Sequence, residues 1–273
     1  MNLTLILNTF LLQLFHFVLL IGAVGYLISL LNRLFYRMVG DSQTVCYATG
    51  FLGTPIHELS HAVMCLLFFH RIEEMSLFRI GDDGVLGYVN HSYNPRNLYH
   101  KIGNYFIGIA PIVGGGLVLF FGMQYLAPSL FSTFREYIEN LALVQAEGFG
   151  LMTFFAYAAV VVEGMLTALF SVSEGGVLLW VFYVLALCIA LHMNLSGADI
   201  KGALPALPIL IGALAVINLL LGVIAPGVYE VFSVLMNLAG GFLTGILLIS
   251  LVFSAAAVVL AGMGRGALRI FHR

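Results

Sequence analysis

Residues 54–62 read Thr-Pro-Ile-His-Glu-Leu-Ser-His-Ala, which places two histidines four positions apart and a glutamate directly after the first. On a helix, residues four apart lie one turn apart on the same face, so His57 and His61 can offer two imidazole nitrogens to one metal ion. Zinc suits this pattern because it accepts nitrogen ligands tetrahedrally and acidifies water, from which a carboxylate such as Glu58 can remove a proton. The stretch predicts a zinc centre with Glu58 as general base; the alternative is a helix whose histidines only bond neighbouring groups.

The composition of the chain places this motif in a membrane protein. Of 273 residues, 61% are hydrophobic and only 9% are charged, which excludes an ordinary soluble domain. The formal net charge of −2 argues against a nucleic-acid partner. We therefore expect an integral, multi-pass protein of a bacterial-type cell membrane, with the lipid bilayer and membrane-embedded chains as its partners.

Apolar runs predict an all-α polytopic fold with about seven transmembrane helices. The first covers residues 1–31 and the second, which carries the motif, covers residues 44–70. The other predicted spans cover 101–126, 149–170, 176–195, 196–225 and 228–262, with an amphipathic surface helix at 129–148. Glu163 falls inside the fourth span, where it either packs against the bundle or handles protons or water.

The motif span is expected to be broken. Gly50 and Gly53 are poor choices for a continuous helix, whereas Thr54 is a good N-cap and Pro55 a good first helical residue. Broken backbone at membrane depth is tolerated where it lines a wet cavity. We expect His57 at the third position of a helix that restarts inside the membrane.

A β-hairpin is predicted directly after the motif span. Residues 75–80 and 85–91 alternate between apolar and polar, and Gly81-Asp82-Asp83-Gly84 between them reads as a turn. One interpretation is an edge strand that pairs with an extended substrate. The other is a hairpin that covers one end of the bundle.

A catalytic zinc site commonly has three protein ligands, so a third must come from elsewhere in the chain. Ser196 and Asp199 form the Ser-x-x-Asp signature of a helix start, which Pro205 soon bends, making a second break near the site. The second and sixth spans begin on the same side of the membrane, which favours Asp199 as the ligand. His192 is the competing ligand, and Asp199 can instead serve only as a cap.

The basic residues predict an orientation. Four fall on one side of the predicted spans, namely Arg71, Arg79, Arg96 and Lys101, and seven on the other, namely Arg33, Arg37, Arg135, Lys201, Arg265, Arg269 and Arg273. The positive-inside rule therefore places the C-terminus in the cytoplasm and the hairpin outside. We expect a single membrane-embedded domain over 1–273. Its parts are a first span and loop (1–43), the motif helix (44–70), a hairpin and loop (71–101), spans three to five with the third-ligand region (102–203) and the C-terminal spans (204–273).

These features resemble the site-2 protease family of intramembrane zinc metalloproteases. The resemblance is carried by residues 57–62, the hairpin after the motif span, an aspartate at a late helix start and the segment 108–114, Gly-Ile-Ala-Pro-Ile-Val-Gly. It implies His57, His61 and Asp199 as ligands and Glu58 as the base. The late motif, Ala198-Asp199-Ile200, lacks the prolines and the Leu-Asp-Gly that are usual in that family, so the chain resembles a divergent member.

The expected function is hydrolysis of peptide bonds in membrane-embedded proteins or peptides by a zinc-dependent endopeptidase with a metal-activated water. Asn194 or His192 is expected to donate a hydrogen bond to the oxyanion. The alternative function is an ion or proton transporter, or a non-proteolytic membrane-binding protein, whose polar residues line an intramembrane cavity.

Overall fold

The structure, a computed structural model, describes residues 3–81, 84–147 and 176–271, together with scattered positions between 152 and 167. It is mostly helical and contains one two-stranded antiparallel sheet. The first helix runs as α1 (Leu3–Leu14), a π-helical stretch (Phe15–Leu20) and α2 (Ile21–Met38). The elements that follow are α3 (Gln43–Leu67), β1 (Arg71–Ser76), β2 (Tyr88–Ser92), α4 (Leu98–Leu126), α5 (Pro128–Glu147), α6 (Gly176–Ala190), α7 (Gly197–Ala203), a 3-10 turn (Leu204–Ala206), α8 (Leu207–Ile224) and α9 (Pro226–Phe271).

In the described part of the chain, four helices are long and apolar enough to cross a membrane, fewer than the seven predicted. They are Leu3–Met38, Leu98–Leu126, Gly197–Ile224 and Pro226–Arg265. Helix α6 has 15 residues, short of the roughly 20 that a bilayer requires. Helix α3 carries the polar motif and is not among the four, and most of the predicted fourth span, 149–170, lies outside the described residues.

The expected break in the motif span is wrong. Helix α3 is one continuous helix of 25 residues, capped at Ser42 and with Pro55 inside it. Gly50 and Gly53 serve close packing: a Cβ on Gly53 would lie 2.5 Å from the carbonyl oxygen of Cys188 and 2.7 Å from Cβ of His192. The glycines therefore make room for the segment around Cys188 and His192, which packs on α3, and they do not interrupt the helix.

The predicted helix start at Ser196 is confirmed. The Ser196 hydroxyl accepts a hydrogen bond from the backbone N–H of Asp199, and the Asp199 carboxylate accepts one from the backbone N–H of Ser196. This reciprocal capping box starts α7. Pro205 lies in the 3-10 turn that joins α7 to α8, so the regular α-helix of the sixth predicted span is interrupted there.

The hairpin is present, with strand bounds that differ from the prediction. β1 pairs with β2 in a register that joins Arg71 to Ser92 and Ser76 to Tyr88, with a bulge between Ile72 and Glu74. β1 begins shortly after the end of α3, and described residues of the segment between β1 and β2 lie along that helix. Cδ1 of Leu86 lies so close to α3 that a Cβ added to Gly50 would be 2.6 Å from it. The centre of the Phe78 ring lies 5.7 Å from that of the Phe51 ring.

The segment that leads into β2 packs against the middle of the motif helix α3. Gly87 lies against Thr54 and Glu58, in the middle of α3, because a Cβ there would lie 2.8 Å from a side-chain carbon of each. The hairpin therefore lies beside the motif and does not merely cover an end of the bundle.

The core joins α2, α4, α6 and α9 through buried aliphatic and aromatic side chains. Glycines of α4 let neighbours approach closely, as predicted: a Cβ on Gly115 would lie 2.6 Å from Met193, and one on Gly108 would lie 2.7 Å from the carbonyl oxygen of Asp199. The predicted amphipathic helix is α5, which buries Leu130 and Phe134. The α4 scaffold therefore brings the start of α7 against the motif helix.

Candidate metal centre

His57, His61 and Asp199 converge on one point. The Nε2 atoms of His57 and His61 lie 3.2 Å apart, and His61 Nε2 lies 3.3 Å from Oδ1 of Asp199. Each of the three residues offers one ligand atom, and these atoms all lie within 4.8 Å of one another. The structure thus brings together the three residues that the sequence predicts as ligands.

Backbone carbonyls fix the tautomer of both histidines. His57 Nδ1 lies 2.7 Å from the carbonyl oxygen of His192, and His61 Nδ1 lies 2.8 Å from that of Ile107. A carbonyl oxygen only accepts, so each Nδ1 carries the hydrogen and each neutral ring keeps its lone pair on Nε2. Metal-binding histidines are held in this manner in proteins, with the second ring nitrogen donating to a carbonyl or carboxylate.

The donor set fits a zinc ion. Two Nε2 lone pairs and a carboxylate oxygen face one another, and such acceptors repel unless a cation lies between them. A tetrahedral zinc ion with Zn–N bonds near 2.05 Å separates its ligand atoms by about 3.3 Å. Two of the three separations, 3.2 and 3.3 Å, match that distance, and all three ligand atoms lie within 4.8 Å of one another.

Asp199 divides its two carboxylate oxygens between two tasks. Oδ2 accepts the backbone N–H of Ser196 at 2.7 Å, which caps α7, while Oδ1 faces His61. The capping role and the ligand role, which the sequence left as alternatives, are therefore compatible. Gly108 permits the arrangement, since a side chain at this position of α4 would meet the Asp199 backbone.

His192, the competing ligand, lies outside this group. Its Nε2 lies 3.1 Å from the Tyr36 hydroxyl and 3.0 Å from that of Thr49, and its Nδ1 lies 3.4 Å from that of Thr54. What it presents to the metal group is its backbone carbonyl, which holds His57.

Glu58 lines the same cavity as the three ligands. The cavity has a volume of about 800 Å³, and its walls come from α3, β2, the start of α4 and the α7–α8 segment. Glu58 itself is buried, with 6% of its surface exposed, and the backbone of Gly87 lies against it. A carboxylate one residue from a ligand, in a cavity of this size, can meet both water and a peptide group.

Two other predicted residues are not brought to this cavity. Asn194 is exposed and is absent from the cavity walls, and Glu163 is helical, exposed and likewise absent. Polar side chains that the sequence analysis did not single out do line it, namely Tyr88, Asn90, Lys101, Asn104 and Lys201. Their positions on β2, α4 and α7 follow from the packing of these elements, so no local pattern could have identified them.

A histidine pair links the end of α3 to β2. His70 Nε2 lies 2.9 Å from the carbonyl oxygen of His100, and its Nδ1 lies 3.0 Å from Nδ1 of His91. Burial lowers the pKa of His70 and of His91, which favours neutral rings. Since His70 uses its hydrogen on the carbonyl, His91 donates to His70 and is held in place at the cavity wall.

Comparison with known proteins adds no relative: no family model, no curated protein and no solved structure matches this chain. The resemblance to site-2 proteases therefore rests on the motif residues named above.

Proposed function

We propose that the chain is an intramembrane zinc metalloprotease that hydrolyses peptide bonds of membrane-embedded proteins or peptides. The observation that carries this proposal is the convergence of two Nε2 lone pairs and a carboxylate oxygen beside buried Glu58 in one cavity. A zinc ion held by His57, His61 and Asp199 would supply Lewis acidity, polarising a peptide carbonyl and acidifying water.

The protein's own part in the reaction is proton transfer. Glu58 accepts a proton from the attacking water as its oxygen bonds to the carbonyl carbon, and then delivers that proton to the amine nitrogen as the C–N bond breaks. His57 and His61 are held with Nε2 facing the cavity by the carbonyls of His192 and Ile107.

The substrate is expected to bind as an extended strand. β2 has one strand partner, β1, in the described part of the chain, and Tyr88, Val89, Asn90 and His91 all line the cavity. A substrate segment that pairs with β2 as an added strand would form backbone hydrogen bonds with β2 while the scissile amide of the substrate lies in the cavity. A helix must be unwound in this way before its amide can be attacked.

The proposal is tested by zinc content and cleavage of a transmembrane substrate by the purified chain in lipid vesicles. We expect one zinc per chain, and we expect Glu58→Gln to keep that zinc while losing about 100-fold or more in rate, because the base is removed. Glu230→Gln is the matched control, since Glu230 is exposed and far along the chain from the motif. Full activity of Glu58→Gln would refute the mechanism.

The same experiment distinguishes the protease from the alternative function, an ion or proton transporter. An ion or proton path through the bundle uses polar residues but has no need for stoichiometric zinc. A chain that holds no zinc and cleaves nothing, yet moves protons or ions across the vesicle membrane, would replace the protease with a transporter.

A further inference from the structure

His192 lies directly behind the candidate ligands, and its ring is within hydrogen-bond distance of hydroxyl groups from two helices. Its Nε2 lies near the hydroxyls of Tyr36, at the end of α2, and of Thr49, in α3. The Thr49 hydroxyl is itself 2.9 Å from the carbonyl oxygen of Val45, to which it donates. The ring is therefore tied to two helices at once.

The main chain around His192 is pressed onto α3. A Cβ on Gly53 would lie 2.5 Å from the Cys188 carbonyl oxygen and 2.7 Å from Cβ of His192, and one on Gly50 would lie 3.2 Å from the His192 ring. We call these two glycines the shelf. At Gly53 the shelf meets a backbone carbonyl oxygen and a Cβ, which no side-chain rotation can move away, whereas at Gly50 it meets side-chain atoms.

We propose that His192 is a positioning residue, which fixes its own backbone carbonyl so that His57 presents Nε2 to the metal. The inference rests on the metal centre of the proposed function. The carbonyl of His192 lies 2.7 Å from His57 Nδ1, and it holds that place because Tyr36 and Thr49 hold the ring and the shelf holds the main chain. The first helix thereby contributes to metal binding without supplying a ligand.

The expected size of the effect follows from what such supporting groups do in metal sites. Loss of a group that orients a ligand typically weakens metal binding about 10- to 100-fold. Tyr36→Phe and Gly53→Ala leave every candidate ligand in place, His192 included, so a change in affinity in these variants can arise only through position. Gly53→Ala moves the His192 main chain and is expected to give the larger loss, while Tyr36→Phe loosens only the ring.

The test uses cobalt(II) in place of zinc, because the visible absorption of cobalt reports ligand geometry as well as binding. Affinity and spectrum are measured for the purified full chain, for Tyr36→Phe and for Gly53→Ala. The matched controls are Tyr125→Phe, at an exposed tyrosine, and Gly212→Ala, where an added Cβ meets no atom within 4 Å. We expect both test variants to bind cobalt more weakly with altered bands, and both controls to match the wild type.

Substitutions of His192 itself complete the test. His192→Gln places a polar atom near the former Nε2 and is expected to retain most of the affinity, whereas His192→Leu is expected to lose it about 10- to 100-fold. If Gly53→Ala fails to fold, Tyr36→Phe decides the question. Wild-type affinity and spectrum in Tyr36→Phe and His192→Leu would overturn the inference and leave the metal centre intact.

The outcomes separate this inference from the protease. A wild-type chain that binds no cobalt overturns the metal centre and the inference with it. A wild-type chain that binds cobalt with the expected dependence on Tyr36 but cleaves no substrate overturns the protease alone.

Discussion

At the scale of single residues, the candidate site depends on the hydrogen-bond partners of the two histidines and of Asp199. The carbonyls of His192 and Ile107 take the Nδ1 hydrogens of the two histidines, which leaves Nε2 of each to face the other. Asp199 uses one oxygen for the cap of α7 and turns the other toward His61. The three facing acceptor atoms form a group that could hold a metal ion.

Asp199 can be tested against its own capping partner. In Asp199→Asn an amide oxygen can still accept the Ser196 N–H, but no carboxylate is left for a metal, so we expect bound zinc to fall to a small fraction of one per chain. Ser196→Ala removes a cap hydroxyl, which costs about 1 kcal/mol of stability, and leaves the carboxylate in place. Zinc per chain after dialysis and the thermal unfolding midpoint distinguish the two effects. Equal zinc in wild type and Asp199→Asn would remove Asp199 from the ligand set.

At the scale of elements, the cavity forms because the hairpin folds back along the motif helix. β2 supplies cavity residues from Tyr88 to His91, and the loop before it places Gly87 on Glu58. The His91–His70 hydrogen bond then ties the far end of β2 to the end of α3. The hairpin is thus a wall of the candidate active site, in contact with the expected base.

Gly87 offers a test of that wall. A Cβ there would lie 2.8 Å from Cγ of Glu58 and 2.9 Å from the carbonyl oxygen of Ser76, so Gly87→Ala must displace either the hairpin or the base. We expect cleavage to slow about 10-fold or more, by the sensitivity of catalysis to misplacement, with zinc retained because no ligand is touched. Gly202→Ala is the control, as Gly202 also lines the cavity but its added Cβ meets no atom within 4 Å. Equal rates for both variants would show that the hairpin position has no bearing on the base.

At the scale of the whole molecule, the first and last long helices end together. The Arg265 guanidinium donates to the carbonyl oxygen of Arg37 at 2.6 Å, and Gly262 lies against Met38. Arg37 and Arg265 fall on the same side in the charge count that predicts orientation. If these helices cross a bilayer as we propose, that end faces the cytoplasm by the positive-inside rule.

Thiol labelling tests this orientation in a chain whose cysteines at 46, 65 and 188 are replaced by alanine. Val39→Cys and Gly264→Cys lie at the shared end of the two helices and are expected to react with an impermeant reagent from the cytoplasmic side. Arg96→Cys, just before α4 and beyond the far end of α3, is expected to react from the opposite side. Reaction of positions 39 and 264 from different sides would contradict the arrangement of the first and last helices, and reaction of both from outside would reverse the orientation.

Much of the fold and site could be predicted because its signals are local. The spacing of His57 and His61 follows from the helical repeat, the start of α7 follows from Ser196 and Asp199, and apolar runs indicate the long helices. The hairpin is visible as alternation after the motif, although its strand bounds are not. Each of these features depends on residues that are neighbours in the sequence.

Other features could not be predicted because they depend on contacts between distant segments. Gly50, Gly53 and Pro55 are equally typical of a broken helix and of a helix that another chain segment approaches closely, and only the position of residues 188–192 decides for the second. His192 and His57 are 135 residues apart in the chain, so the sequence offered His192 as a ligand while its backbone carbonyl is the group that meets the site. By itself the sequence determined which side chains can hold a metal; the tertiary structure decided which of them meet and what holds them, because close packing and hydrogen-bond geometry arise only when the helices are assembled.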